Sequence, residues 1–439
     1  MRIKSLVTAC LLGSLSVASP VQAESLMDIY NLAVENDPKF LSSGALLEAN
    51  LERKNQSLSL LLPQLNGSYN NNYNKGYNAL GSSESLSDSL GLTLSQSVYD
   101  YSTWINYDQA QKRAEQALVT YKSSEQDLIV RVAKAYTDVL AAVDSLTFAE
   151  AEQEAIKQEL EQTKQRYDVG LIAITDVHEA QARYDQSEAD RILAQNILDN
   201  AHEALREITG IYTNNLNSLS KDLPLVSPEP ARIDDWVQVA RESNLNVISS
   251  NMSVYIAQQD IKRQYGGHLP SVNLSASYSD ATVDISGIEP DSENYGLSGA
   301  LTISVPIYSG GATNSRVKES EAYYKQATYD LESAMRGTIR TTRSSYLGVE
   351  ATISGIKALE QAVISQESAL LATQAGFEVG TRTIVDVLLS TRTLYSARSN
   401  LSTARFSYIM AVLRLKQAAG ILTPDDLMEI NKWMLPVKA

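Results

Sequence analysis

The feature that most constrains this chain is the near absence of helix-breaking residues over two very long stretches. No proline occurs between Pro63 and Pro224 or between Pro306 and Pro424, and the long helical part of the first stretch contains one glycine, Gly170. Because Ala, Gln, Glu, Lys and Leu dominate there, we predict one helix from Tyr101 to Tyr167 and a second from Thr175 to Thr209. The first would be about 100 Å long at 1.5 Å per residue, which a compact globular domain cannot contain.

Apolar residues recur at heptad-like spacing along the first of these helices, and this pattern indicates coiled-coil packing against neighbouring helices. The residues concerned are Leu118, Tyr121, Leu128, Val132, Ala135 and Val139.

The chain also repeats itself. RYDVGLIAITDV at residues 166–177 aligns without a gap on GFEVGTRTIVDV at residues 376–387, with five of twelve positions identical. The same offset of 210 relates Gly210 to Gly420, each at the end of a helical pattern. Self-similarity of this kind predicts an internal duplication. We predict a first repeat at residues 24–222 with the order helix-strand-strand-helix-helix, a proline-rich linker at 223–230, a second repeat at 231–420 and a C-terminal segment at 421–439.

Two segments with period-two alternation precede the long helix of each repeat, which predicts four strands with one apolar and one polar face. The polar positions are mostly Ser, Asn, Thr and Gly, with few charges. The apolar positions are Leu65, Tyr69, Tyr73, Tyr77, Leu86, Leu90, Leu92, Leu94 and Val98, then Val272, Leu274, Ala276, Tyr278, Tyr295, Leu297, Leu301, Ile303, Val305 and Ile307.

Two arrangements suit such strands: a sheet packed on its own core, or a transmembrane barrel with lipid outside and water inside. The uncharged polar face favours the barrel, because it suits a hydrated lumen. Four strands cannot close in lipid, where each unpaired backbone group at an open edge costs several kcal/mol. The chain is therefore expected to oligomerise.

The N-terminal residues have the pattern of a secretory signal peptide, residues 1–23. Arg2 and Lys4 precede an apolar segment, and Val21-Gln22-Ala23 forms a small-residue cleavage site. A lipoprotein signal ending before Cys10 is the alternative, but Cys10 comes too early in the apolar segment. Removing the signal takes away the only cysteine and two positive charges, so the formal net charge goes from −15 to about −17. This acidity argues against a nucleic-acid partner.

Beyond the signal no run of about twenty apolar residues exists, so we expect no transmembrane helix. A soluble secreted protein and an outer-membrane β-protein both satisfy these observations. Three histidines, His178, His202 and His268, lie far apart, and no catalytic or phosphate-binding motif is present. We therefore expect no enzymatic activity, no cofactor and no metal, with His178 and His202 on solvated helix faces.

VGLIAITDV, VGTRTIVDV, the corner VPIYSGG at residues 305–311 and the duplicated element order together resemble the TolC family of outer-membrane efflux channels, across essentially the whole mature chain. The resemblance implies a mixed α+β membrane protein, a homotrimer whose four strands per chain form a 12-stranded outer-membrane β-barrel. It implies that this barrel continues into a long periplasmic α-helical coiled-coil barrel, with a midway belt of short helices near the C-terminal segment. The periplasmic end would be closed by inward-coiled helix pairs.

The function that the resemblance implies is a passive exit duct for drug efflux, type I protein secretion or both. The duct would sit in outer-membrane lipid and be opened by a periplasmic adaptor and an inner-membrane pump of the RND, ABC or MFS type. The alternative is a wholly periplasmic coiled-coil adaptor or scaffold, which would account for the helices but not for the four amphipathic strands.

The repeated motif marks the ends of two helical hairpins, where Gly170 or Gly380 lets the chain leave one helix and Asp176 or Asp386 lies in the first turn of the next. Carboxylates there favour the helix dipole, and Asp176 with Glu179, or Thr383 with Asp386, has capping-box spacing. Neither argument explains Arg382, a cation at the unfavourable end of a helix.

The resemblance supplies a role for these residues. Arg382 would tie the inner hairpin to Thr175 and Asp176 of the outer one, and Asp386 would line the constriction. Two departures from the family pattern are Phe377 in place of a tyrosine and Leu389 in place of a second aspartate. The remaining implied residues are an exchanged Glu159–Gln374 pair, and adaptor-docking tips at Val169, Gly170, Leu171, Val379, Gly380 and Thr381.

Overall fold

The structure is a computed structural model that describes residues 24–78, 81–213, 215–220, 223–285 and 288–435. The predicted signal peptide with Cys10 lies outside the described residues, as do the last four residues of the predicted C-terminal segment.

Helices make up most of the described chain. They are α1 (Leu26–Asn36), α2 (Pro38–Ser59), α3 (Tyr101–Asp168), α4 (Ile174–Thr209), α5 (Ile233–Ser243), α6 (Leu245–Tyr265), α7 (Ala312–Glu378), α8 (Ile384–Ala419) and α9 (Pro424–Asn431). The strands are β1 (Gln64–Asn78), β2 (Gly81–Tyr99), β3 (Ser218–Leu219), β4 (Ser271–Ile285), β5 (Ile288–Ser304) and β6 (Met434–Leu435). No helix within the described ranges is long and apolar enough to cross a membrane.

The two long helices of the first hairpin have the predicted limits to within a residue. The helix α3 contains 68 residues and begins after Asp100, whose side chain accepts hydrogen bonds from the N–H groups of Ser102 and Thr103. The 36-residue helix α4 packs against α3, and the 36-residue helix α8 packs against α7. The heptad prediction holds for the buried residues from Leu128 to Val139, whereas Leu118 is exposed.

The same order of elements, two helices, two strands and two long helices, occurs in residues 26–209 and 233–419. The first helices of the two halves begin 207 residues apart, and the last helices end 210 residues apart. The offsets read from the sequence therefore correspond to matching element limits. Each half has two short helices before its strands, where the sequence indicated one.

The four long strands form one antiparallel sheet in the order β1-β2-β4-β5. Leu65 lies opposite Leu94, Leu94 opposite Ala276, and Leu274 opposite Leu301. Since directly opposed residues of an antiparallel pair share a face, this register puts the apolar positions of all four strands on one face. Val305 and Ile307 are the exceptions, because β5 ends at Ser304.

The apolar face of the sheet is uncovered in the described chain. Leu297 is 81% exposed and Tyr295 75% exposed, and neither edge strand, β1 or β5, has a second partner in the described ranges. A sheet packed on its own core is therefore not what this chain forms.

The largest apolar core lies midway along the rod, where α1 and α9 pack against the middle of α3 and the C-terminal half of α8. The linker is fixed beside it rather than loose. The Tyr408 hydroxyl donates to the carbonyl of Val226 and accepts from its N–H, both at 3.0 Å, and Trp236 Nε1 donates to the Pro230 carbonyl at 2.8 Å.

Candidate gate at the ends of the helical hairpins

Both hairpins turn through a glycine in the left-handed conformation, with φ of +75° at Gly170 and +78° at Gly380. The Gly170 N–H donates to the Tyr167 carbonyl at 2.8 Å, and the next N–H donates back to the Arg166 carbonyl at 2.9 Å. The second hairpin repeats both bonds, from Gly380 to Phe377 and from Thr381 to Gly376. This is the Schellman ending of a helix, which favours glycine because a Cβ atom strains the left-handed conformation.

The residues that flank these glycines protrude from the tips of the two hairpins, which lie at the end of the molecule opposite the sheet. Val169, Leu171 and Val379 are 70%, 73% and 75% exposed. A Cβ atom at either tip glycine would meet no other atom within 4 Å. The tips are thus open apolar surfaces in this chain, and the turn conformation accounts for the glycines.

Asp386 caps its own helix. Its Oδ2 accepts from the Thr383 N–H and from Thr383 Oγ1, both at 2.9 Å, and its N–H donates to Thr383 Oγ1 at 3.3 Å. The predicted capping box is confirmed here. The hydrogen bonds from the Thr383 backbone and hydroxyl hold the pKa of Asp386 below its usual value, with a further contribution from the charge of Arg382.

The first hairpin lacks the equivalent capping box. The box that the spacing of Asp176 and Glu179 suggested is therefore wrong. The helix begins at Ile174, and its N-cap is Ala173, which has no side-chain acceptor. Asp176 does lie in the first turn as predicted.

Arg382 does not make the expected tie. In the part of the chain that the structure describes, its guanidinium forms no hydrogen bond or ion pair with Thr175 or Asp176. Its stem lies against the last turn of α7, because the Arg382 N–H donates to the Gly376 carbonyl at 3.2 Å. A Cβ atom at position 376 would be 2.7 Å from Arg382 Cγ. Gly376 therefore makes room for the arginine, and the sequence analysis missed it.

Two contacts connect α3 of the first hairpin to α7 of the second near this end. Gln374 Nε2 donates to Glu159 Oε1 at 3.4 Å, so the expected exchanged pair is in contact. The guanidinium carbon of Arg166 lies 4.4 Å from the centroid of the Phe377 ring. Burial raises the pKa of Glu159, and the hydrogen bond from Gln374 and the charge of Arg166 partly offset that effect.

A small apolar cluster lies beneath these contacts and packs the hairpins together. It was not foreseen, although Ile384 and Leu388 lie on one face of a helix at the spacing that would have indicated it. Leu389 is exposed and lies outside the cluster, and Thr175 is exposed as well. The cluster consists of Ile156, Leu160, Ala180, Ile384, Val387 and Leu388, with Phe377 packed against it.

Two of the three histidines, His178 and His202, lie on α4. His178 is exposed as predicted, but His202 is half-buried with its ring stacked on Tyr212 at 5.6 Å, so the solvated position expected for His202 was wrong. Among the described residues no group of three or more His, Cys, Asp or Glu side chains could hold a metal ion.

The long helical hairpins with an exposed amphipathic sheet at the opposite end of the rod are those of an outer-membrane channel protein. A solved structure of CusC, described in terms of transmembrane channel formation, superimposes with a TM-score of 0.79 at 16% identity, covering 90% of this chain and 92% of that one. The chain belongs to the outer membrane efflux protein family, whose model matches residues 29–211 and 236–421.

Individual relatives extend over nearly the whole chain. It is 43% identical to the outer membrane protein TolC of Vibrio cholerae over 432 residues, covering 97% of both chains. It is 28% identical to the proteases secretion protein PrtF of Dickeya chrysanthemi over 448 residues, covering 99% of this chain and 96% of the relative.

Proposed function

We propose that this chain is a subunit of an outer-membrane channel that gives drugs and secreted proteins a passive exit from the periplasm. One observation carries the proposal: a four-stranded sheet with one apolar face, one uncharged polar face and two edges that pair with no further strand in the described chain. The family match to outer membrane efflux proteins supports efflux, and the likeness to a proteases secretion protein supports secretion. Such a duct performs no chemistry, so no catalytic residue or cofactor is required.

Three copies complete the barrel, each contributing four of twelve strands. In lipid the backbone groups along β1 and β5 must be paired, and the β5 edge of one copy can pair with the β1 edge of the next. The long helices then form a periplasmic tube below the barrel. Two repeats, residues 24–222 and 231–420, arose by internal duplication, with 223–230 as linker and 421–439 at the belt where α9 packs.

A periplasmic adaptor docks on the exposed tips, and an inner-membrane pump of the RND, ABC or MFS type recruits the channel through it. The glycines at residues 170 and 380 let a partner backbone approach closely. The exposed apolar side chains beside them, Val169, Leu171 and Val379, supply area that the partner can bury.

The hairpin ends form the gate. Threefold symmetry brings three Asp386 carboxylates together at the constriction, with Leu389 close by in place of a second ring. In the closed channel Arg382 of each protomer reaches Thr175 and Asp176, a tie that the single chain does not make within its described residues. Arg382→Ser is then expected to raise the resting conductance, and a variant as closed as the wild type would remove Arg382 from the gate.

The assembly is tested with paired cysteines, since the chain's only cysteine is Cys10. Asn70→Cys on β1 is combined in turn with Asn294→Cys or Ser298→Cys on β5. At least one combination is expected to give covalent trimers in outer-membrane fractions. As a matched control, Asn70→Cys with Ser89→Cys joins two residues that are opposite within one chain, and it should cross-link without a change in subunit number.

The alternative, a periplasmic adaptor or scaffold, predicts a different behaviour. A protein released from membranes by carbonate, with none of the β1–β5 pairs cross-linking between copies, would contradict the channel.

A further inference from the structure

We propose that Arg166 is a gate residue whose guanidinium, stacked on the Phe377 ring, holds the second hairpin against the first in the closed channel. This inference rests on the channel function proposed above. It concerns a contact between residues 211 positions apart in the chain, and it adds Arg166 to the residues of the gate.

The geometry is that of a cation–π contact. The Arg166 guanidinium carbon lies 4.4 Å from the ring centroid, well inside the roughly 6 Å within which such pairs attract. Both side chains are half-buried, and Phe377 also packs on the apolar cluster under the hairpins. A guanidinium is planar and weakly hydrated, so stacking on a ring costs it less hydration than a lysine ammonium would lose.

The Phe377 ring is the partner that the Arg166 guanidinium contacts, and the Arg166 charge also favours the ionised form of Glu159 on the same helix. Within the described ranges Arg166 forms no ion pair, although Lys164 on the same helix pairs with Glu161 at 3.4 Å. A cation in the last turn of α3 would be favoured by the helix dipole wherever it pointed. The dipole does not explain why the guanidinium reaches across to α7, and the ring does.

The contact is one of two between the same helices. Glu159 precedes Arg166 by two helical turns on the same face of α3, and it contacts Gln374, one turn before Phe377 on α7. Two contacts, two turns apart on α3 and one turn apart on α7, resist rotation of one helix about the other, which a single contact does not. An opening motion that moves the second hairpin away from the first must break both contacts.

This contact gives Phe377 a role in the gate, although Phe377 lacks the hydroxyl group of the tyrosine in the family pattern. The aromatic face, which phenylalanine and tyrosine share, carries the contact. Phe377→Tyr should therefore keep the Arg166 contact, whereas Phe377→Leu should lose it while keeping an apolar side chain of similar size.

The test measures single-channel currents of the purified channel in planar bilayers. Pore formation by the wild type is established first, and its absence would refute the channel function and this inference with it. Arg166→Met is then expected to favour opening by about two- to five-fold per protomer, the range for a partly exposed cation–π pair. Lys164→Met removes the same charge two residues away and should leave the currents unchanged.

A double-mutant cycle identifies the partner. Phe377→Leu should raise the open fraction as Arg166→Met does, and the double variant should add little to either single change. Arg166→Lys should fall between wild type and Arg166→Met. A conducting channel in which Arg166→Met matches Lys164→Met, or in which the two single effects simply add, would overturn the role of Arg166 and leave the channel function standing.

Discussion

Gly420→Ala should destabilise the protein much more than Gly210→Ala, although both glycines end a 36-residue helix in the same conformation. Their φ angles are +78° and +75°. Alanine in this region costs about 1–2 kcal/mol at either site. The two sites differ in what surrounds them, so the comparison separates backbone strain from crowding.

The atoms around the two glycines predict a large difference in stability between the two alanine variants. At Gly420 an added Cβ atom would lie 2.3 Å from the Ser243 carbonyl oxygen and 2.6 Å from Asn244 Cα. This backbone cannot easily move, because Asn244 caps α6 and donates through Nδ2 to the Ala418 carbonyl at 2.9 Å. Overpacking of this kind adds about 1–3 kcal/mol. At Gly210 the nearest atom is Asn36 Cβ at 3.5 Å, an ordinary contact.

The expected losses in the free energy of unfolding are about 1–2 kcal/mol for Gly210→Ala and about 2–5 kcal/mol for Gly420→Ala. Denaturant titration of the detergent-solubilised protein, followed by circular dichroism, measures both. Equal losses would refute the reasoning, because they would mean that the junction of α5 and α6 yields to the new methyl group at no cost.

Three further changes test the gate and the tips. Asp386→Asn should weaken cation selectivity and block by multivalent cations in planar bilayers, because a ring of three carboxylates attracts cations, and unchanged selectivity would remove Asp386 from the constriction. Burial between the packed hairpins raises the pKa of Glu159, so protonation favours the packed, closed state; lowering the pH through that raised value should reduce the open fraction, and a pH dependence that survives in Glu159→Gln would contradict this assignment. Gly380→Trp should abolish efflux, scored as drug resistance, while the trimer still assembles, and normal resistance would contradict docking at the tips.

The limits of the long helices and the form of their turns were open to prediction because they depend on neighbours along the chain. The absence of proline, the single internal glycine and the repeated motif located the helices of the first hairpin to within a residue. The capping box of Thr383 and Asp386 is equally local. The first hairpin's box failed for a local reason too, since Ala173 stands at the cap.

The amino-acid sequence by itself thus determined the long helices, the strands with their two faces and the glycine turns. All of these follow from periodicity and from backbone conformation within a few residues. Only the tertiary structure decided that Arg166 meets Phe377 and that a Cβ atom at position 420 would collide with the backbone at Ser243. These contacts depend on how far one long helix is rotated and shifted against another. That alignment comes from the summed packing of side chains far apart in the chain, and no local pattern records it.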